Sequence, residues 1–152
     1  MNIFVLDENP VICAQYHCDR HVVKMVLETA QILSTVSGNG YKPTHERHPC
    51  TLWACTSRQN YSWLLALGLA LGEEYTYRYD KIHKSHIVIQ EQLSVIPEHL
   101  PNSGLTPFKQ CMPLHYIKYK DPVGGYQEYY RQEKAHFCTW KRRPVPYFME
   151  NV

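Results

Sequence analysis

The chain has 152 residues, a formal net charge of +2 with its histidines neutral, and an apolar fraction of 44%. This length is typical of a single domain, and the apolar fraction is too high for a disordered chain. The small net charge excludes a uniformly basic nucleic-acid-binding protein, so only a local basic patch could serve that purpose.

Residues 2–6 are predicted to form a short edge strand or a buried arm. Asp7 interrupts the apolar run that follows Met1, and no basic region precedes this run, so the segment is not typical of a signal peptide. The longest later apolar run covers residues 63–71, well below the roughly 20 residues of a transmembrane helix. We therefore expect a soluble, cytoplasmic protein.

The pattern of apolar residues, prolines and capping residues predicts an all-α single domain over residues 1–152. The five predicted helices cover residues 10–36, 49–55, 58–80, 86–96 and 122–141. Asn9-Pro10 and Asp121-Pro122 each supply an N-cap followed by proline, and Gly38 ends the first helix. Residues 97–120 contain four prolines and are predicted to form a long loop of the kind that is often functional.

A narrow polar stripe runs along the first predicted helix, which is otherwise largely apolar. Spacings of three and four residues place its members on one line: Cys13, His17, His21, Lys24, Glu28 and Gln31. The stripe either lines a cleft suited to acid–base or imine chemistry, or faces solvent with a simple Lys24–Glu28 ion pair. Asp19 lies on the apolar face and is expected to pair with Arg78 or His48, or to cap another element.

Three further segments are candidates for contacts with phosphates or bases. They are the polar residues before the second helix, the basic turn at residues 81–86, and the mixture of cations and rings near the C-terminus. The predicted nucleic-acid or phosphate-binding residues are Arg20, His48, Arg78, His83, Lys84, Lys134, Trp140, Lys141 and Arg142. Each segment also has a purely structural interpretation, as a surface loop, a Glu74–Arg78 ion pair, a dimer contact or a docked tail.

The six cysteines are expected to be reduced thiols, because nothing in the sequence indicates an oxidising compartment. Cys13 with Cys18, and Cys50 with Cys55, each enclose four residues, a spacing close to that of zinc ligands. A metal-dependent enzyme is therefore one alternative, although we predict no metal ligand. The phosphate-binding, dinucleotide-binding, zinc-protease and hydrolase motifs are absent from the sequence, and no cofactor is predicted.

The chain as a whole is similar to a family of small proteins carried by tailed bacteriophages. The likeness is carried by residues 19–25, 48–53, 83–85 and 140–141, spans most of the chain, and implies no activity. A phage protein would work in the cytoplasm of the host cell, where a host protein is a possible partner. The sequence leaves the oligomeric state open.

More remotely, residues 1–86 resemble the pyrimidine-dimer DNA glycosylase family. The likeness consists of the short N-terminal arm, the helix from His17 to Glu28, His48-Pro49 before an aromatic residue, and the end of the core helix at residues 74–79. The resemblance implies an all-helical enzyme that cuts the glycosidic bond of DNA. It also implies that the N-terminal α-amine is the nucleophile and that a glutamate of the first helix is the catalyst.

The residue after Met1 is asparagine, which disfavours removal of Met1 and therefore a free α-amine at residue 2. We predict instead that Lys24 supplies the amine, with Glu28 as its acid–base partner and with His17 and His21 forming the polar wall of the pocket. The predicted function is an enzyme acting on DNA bases or nucleotides, most concretely a DNA glycosylase or lyase. The alternative is a phage protein that binds nucleotides or blocks a host defence without chemistry.

Overall fold

A computed structural model describes residues 1–150, in which α-helices and shorter helical turns form the regular structure. The α-helices are α1 (Pro10–Tyr16), α2 (Asp19–Ser37), α3 (Pro49–Ala54), α4 (Arg58–Tyr79), α5 (Lys84–Val88) and α6 (Pro122–Tyr129). No β-strand occurs within residues 1–150, which confirms the all-α prediction. None of the helices in this range is both long and apolar enough to cross a lipid bilayer.

The helix predicted over residues 10–36 is two helices, so the single-helix prediction is wrong at His17 and Cys18. Both residues have an extended backbone, with ψ of 132° and 162°. The Arg78 guanidinium donates to the carbonyl oxygen of His17 at 2.8 Å and to that of Gln15 at 2.9 Å. These bonds satisfy carbonyls that the end of α1 leaves free, which stabilises the break. The predicted polar stripe is therefore divided between two helices.

Asp19, the first residue of α2, is paired with Arg78 as predicted. Its Oδ1 lies 3.0 Å from Nη1 of Arg78, and its Oδ2 accepts the hydroxyl of Thr139 at 2.7 Å. The backbone N–H of Lys141 also donates to this carboxylate, at 2.9 Å. A carboxylate is favourable at a helix N-terminus, and this one joins α2 to α4 and to the C-terminal segment.

Helix α4 is the central helix and packs against both α1 and α2. Its buried apolar side chains include Tyr61, Trp63, Leu64, Leu67 and Leu71. Gly72 is required where α5 approaches, because an added Cβ at this position would collide with the ring of His86. This close approach lets α5 cover one side of α4.

The N-terminal residues form the buried arm that was one of the two expectations for them. Ile3, Phe4, Val5 and Leu6 are all buried. Phe4 has a φ of 58°, in the left-handed region that is unusual for a bulky residue. Its ring stacks on the ring of His21, with the centroids 4.3 Å apart. Tertiary packing therefore holds the strained arm in one conformation, which fixes the position of Met1.

The fourth and fifth predicted helices differ from the observed ones at their ends. His83, not Ser85, is the N-cap of α5, because Nδ1 of His83 accepts the Ser85 N–H at 3.0 Å. Helix α5 continues as a π-helical turn that ends at Leu93. Helix α6 passes into a π-helical turn and then a 3₁₀ turn that ends at Phe137, short of residue 141. Beyond this point the chain extends, which lets Thr139 reach Asp19.

The proline-rich loop between α5 and α6 is held by the core rather than left free. The Asn60 side chain exchanges hydrogen bonds with Thr106, and Nε1 of Trp53 donates to the Pro107 carbonyl at 2.9 Å. Phe108 packs on Trp63, with the ring centroids 4.7 Å apart. The loop lines a cavity of about 690 Å³ whose walls include Trp63 and Phe108 but neither Met1 nor Glu28.

Candidate active site

An amine and a carboxylate meet where the N-terminal arm crosses α2. The α-amine of Met1 lies 3.2 Å from Oε1 of Glu28, and the Glu28 residue is only 7% exposed. Oε2 is 3.9 Å from Nζ of Lys24 and has no hydrogen-bond partner within residues 1–150. A buried carboxylate requires a compensating positive charge, and the α-amine of Met1 supplies the nearer one.

Asn2 and Tyr126 fix the position of the amine. The Asn2 amide donates to the Cys111 carbonyl at 2.7 Å, and its Oδ1 accepts the Ile3 N–H at 2.7 Å. The hydroxyl of the buried Tyr126 lies 3.1 Å from Oδ1 of Asn2 and accepts the Cys111 N–H at 3.1 Å. The first two residues are therefore tied to α6 and to the proline-rich loop. Such anchoring on rigid elements is what a reacting group requires.

Lys24 is on the exposed side of the same site. Its side chain is 66% exposed, and its Nζ makes the longer of the two contacts with Glu28. Arg20, one turn earlier on α2, places its guanidinium 4.4 Å from the centroid of the Phe137 ring. The Lys134 ammonium lies 5.9 Å from the same ring and 5.1 Å from the ring of Tyr129. We call Arg20, Lys24 and Lys134, with these two rings, the cationic surface.

His17 and His21 lie beneath this surface and are both buried. Nδ1 of His21 is 2.7 Å from the Tyr130 hydroxyl, and its ring supports that of Phe4. Nδ1 of His17 is 2.7 Å from the Cys13 carbonyl, which identifies Nδ1 as the protonated nitrogen. Nε2 of His17 is therefore unprotonated, and its lone pair has no hydrogen-bond partner in the described part of the chain. Through their packing beneath the N-terminal arm, the two histidine rings form the floor of the site.

Burial predicts that His17 makes stability depend on pH. Desolvation lowers the pKa of His17 from 6.5 to about 4, with the charges of His21 and Arg78 acting in the same direction. The unfolded chain therefore binds a proton first as pH falls, so stability present above pH 6.5 is lost down to about pH 4. The loss should reach about 3 kcal/mol. Urea unfolding at several pH values would measure it, and His17→Phe should give a flatter profile over this range. Parallel profiles for the two proteins would contradict the assignment.

A third group of side chains adjoins the amine and Glu28. His48 is the N-cap of α3, where its Nδ1 accepts the Cys50 N–H at 3.1 Å. Burial and the nearby charge of the Met1 α-amine lower the pKa of His48, so its ring is neutral at neutral pH. Sγ of Cys50 is 3.3 Å from Sγ of Cys111, and the hydrogen bond from Cys50 lowers the pKa of Cys111. His48 therefore lies at the predicted site, where its neutral ring can form a hydrogen bond or act as a ligand.

Several other residues predicted to contact phosphates or bases are engaged in contacts within the protein. Arg78 is 0% exposed and its guanidinium is engaged within the core, so it holds helices together and cannot reach a phosphate. Trp140 donates its Nε1–H to the Tyr16 carbonyl at 2.8 Å. Arg142 pairs with Asp80 at 2.9 Å.

His83, Lys84 and Lys141 complete the predicted set. His83 lies 3.0 Å from the Val23 carbonyl through Nε2, whereas Lys84 is exposed. The Lys141 ammonium lies 5.2 Å from the ring of Tyr79. Among the predicted cations, the structure places Arg20, Lys24 and Lys134 on the one surface that adjoins Glu28.

Met1 and Cys111 are the site residues that reasoning from the sequence missed. The family resemblance implies an N-terminal amine as the nucleophile. Because Asn2 disfavours removal of Met1, Lys24 was predicted to supply the amine instead. In the structure the α-amine that meets Glu28 belongs to Met1 itself. Cys50 was paired with Cys55 by spacing alone, whereas its neighbour in space is Cys111, which is 61 residues away along the chain.

The comparisons with known proteins give one family. The family model for the pyrimidine dimer DNA glycosylase matches residues 1–87, more than half of the chain. The matched part contains the arm and all of helices α1 to α4, and therefore both Met1 and Glu28. Neither the search of curated proteins nor the search of solved structures found a match. The chain belongs to the pyrimidine dimer DNA glycosylase family.

Proposed function

We propose that this protein is a DNA glycosylase in which the α-amine of Met1 is the nucleophile and Glu28 is the acid–base group. The observation that carries the proposal is the distance of 3.2 Å between that amine and the buried Glu28 carboxylate. Membership of the glycosylase family supports the same chemistry. Lys24, predicted from the sequence as the nucleophile, is the other amine beside Glu28 and is the alternative that an experiment must separate.

The Met1 α-amine is an ammonium in its ion pair with Glu28, so it must first release one proton to solvent. The neutral amine, which then has two protons and a lone pair, would act on C1′ of a deoxyribose. Substitution at C1′ breaks the bond to the base, and one amine proton passes to the departing base. Opening of the sugar ring then transfers the second amine proton to the ring oxygen as the C=N bond of the imine forms. The Glu28 carboxylate is within hydrogen-bonding distance of the nitrogen and can carry these protons.

The cationic surface is the proposed contact with DNA. Lys24 lies one turn from Glu28, Arg20 lies one turn further, and the Lys134 ammonium shares the Phe137 ring with Arg20. Cations interleaved with exposed parts of rings suit phosphates on one side and an unstacked base on the other. A base removed from its stack would then enter beside Met1.

Borohydride trapping tests the proposal and identifies the nucleophile. The protein is incubated with duplex DNA that is intact, ultraviolet-irradiated or abasic, and borohydride reduces any imine to a stable covalent complex. We expect a complex on damaged DNA that survives Lys24→Ala and is lost when Gly-Ser is added ahead of Met1. Circular dichroism and thermal unfolding of the extended protein provide the control for folding.

Two outcomes would overturn parts of this proposal. A complex that is lost in Lys24→Ala but kept in the extended protein would assign the nucleophile to Lys24. The absence of a complex on all three DNA substrates would remove imine chemistry. In that case the alternative of nucleotide binding without turnover would take its place.

A further inference from the structure

One cluster of thiols and imidazole lies beside the proposed nucleophile without any role in the imine chemistry. A ring nitrogen of His48 and the sulfurs of Cys50 and Cys111 all lie within 4.8 Å of one another. Cys50 is buried, whereas His48 and Cys111 are partly exposed, so the cluster is accessible from one side. All three residues lie close to the interface between α3 and the proline-rich loop.

Two separate segments position these groups. His48 and Cys50 are adjacent through the N-cap bond of α3, in which Nδ1 of His48 accepts the Cys50 N–H. Cys111 is held by its backbone, whose N–H donates to the Tyr126 hydroxyl and whose carbonyl accepts the Asn2 amide. The fold therefore brings the three groups together before any ligand binds.

We propose that His48, Cys50 and Cys111 bind a zinc ion. Thiolate and imidazole are the ligand types that zinc prefers, and three protein ligands leave the fourth tetrahedral position for water or another donor. This site differs from the cysteine pair that the sequence spacing suggested, because the partner of Cys50 is Cys111 and not Cys55. It also departs from the expectation that the protein has no metal ligand.

The separation of the two sulfurs is close to the spacing that a shared zinc ion requires. Two Zn–S bonds of about 2.3 Å at a tetrahedral angle hold their sulfurs about 3.8 Å apart. The observed 3.3 Å is thus about 0.5 Å too short for zinc, but more than 1 Å too long for the roughly 2.05 Å of a disulfide. A small opening of the pair admits zinc. Binding at Nδ1 would exchange the His48 capping hydrogen bond for a coordinate bond.

The location gives the site a consequence for the amine. The Asn2 side chain is hydrogen-bonded to the backbone of Cys111, and Met1, the residue directly before Asn2, carries the α-amine. A metal bound by Cys111 would therefore be attached to the segment that positions the proposed nucleophile.

Cobalt substitution tests the site without DNA and without any measurement of turnover. Metal-free, reduced protein is titrated with Co²⁺ under anaerobic conditions, and the thiolate-to-cobalt charge-transfer absorption is recorded. We expect saturable binding of one equivalent, and full displacement of the cobalt by one equivalent of Zn²⁺. An absent charge-transfer band would overturn the proposal and would leave the proposed glycosylase chemistry unaffected.

The variants locate the metal. Cys111→Ser and His48→Asn should each weaken Co²⁺ binding by more than the roughly 10–100-fold that loss of an outer-shell partner costs. Asparagine is itself a good N-cap, so His48→Asn removes the imidazole while keeping α3 capped. Cys55→Ser is the matched control, because Cys55 is an exposed thiol at the C-cap of the same short helix, so this variant should bind Co²⁺ like the wild type. Equal binding by all three variants would place the metal elsewhere and overturn the assignment.

Discussion

Replacing Glu28 with glutamine is expected to slow base removal by about 10²–10⁴-fold, the range typical for loss of a general acid–base group. Glutamine keeps the size of the side chain and an oxygen that can accept from the Met1 amine, but it cannot take up a proton. Single-turnover release of the damaged base measures the effect directly. The fold should survive, because Glu28 contributes to the site and not to the apolar core.

A matched control for this prediction is Glu73→Gln. Glu73 is an exposed carboxylate on α4, so its replacement removes the same charge without touching the site. Its rate should equal that of the wild type. If Glu28→Gln retained full activity while the extended N-terminus abolished it, the amine would act without a carboxylate partner, and the assignment of Glu28 would fail.

The features that the sequence predicts well are local ones. Asn9-Pro10 and Asp121-Pro122 start α1 and α6, and Gly38 ends α2 with a φ of 79°. Each signal depends on a residue and its immediate neighbours, because capping bonds and the conformational freedom of glycine act within one turn. The Asp19–Arg78 pair was also predictable, since a carboxylate on an apolar face requires a partner.

The features that the sequence does not predict depend on contacts between distant segments. The break at His17 follows from Arg78 in α4 and cannot be read from the periodicity of residues 10–36. The pairing of Met1 with Glu28 and the approach of Cys111 to Cys50 both depend on how the arm and the proline-rich loop cross the helices. Hydrophobic periodicity carries no information about such crossings.

Arg78→Met is expected to destabilise the helical core strongly. Arg78 is fully buried and donates to Glu74 at 2.7 Å, to Asp19 at 3.0 Å, and to the carbonyls of His17 and Gln15. Methionine fills much of the volume but removes the donor to the carbonyls of His17 and Gln15 and the positive charge that Asp19 and Glu74 share. Breaking a buried ion pair from one side costs about 3–5 kcal/mol. In a chain of this length that loss corresponds to a fall in Tm of about 6–20 °C.

The comparison that tests this reasoning is Arg143→Met. Arg143 also binds Glu74, at 3.0 Å, but its side chain is partly exposed, and Glu74 would keep its bond to Arg78. Exposed pairs contribute little, because water replaces the lost partner, so this variant should lose much less stability than Arg78→Met. Urea unfolding of both variants measures the two free energies. Equal losses would show that the Glu74 ion pairs matter more than the break between α1 and α2. A clearly larger loss of stability for Arg78→Met would show that the bonds from Arg78 to Asp19 and to the end of α1 maintain the break between α1 and α2.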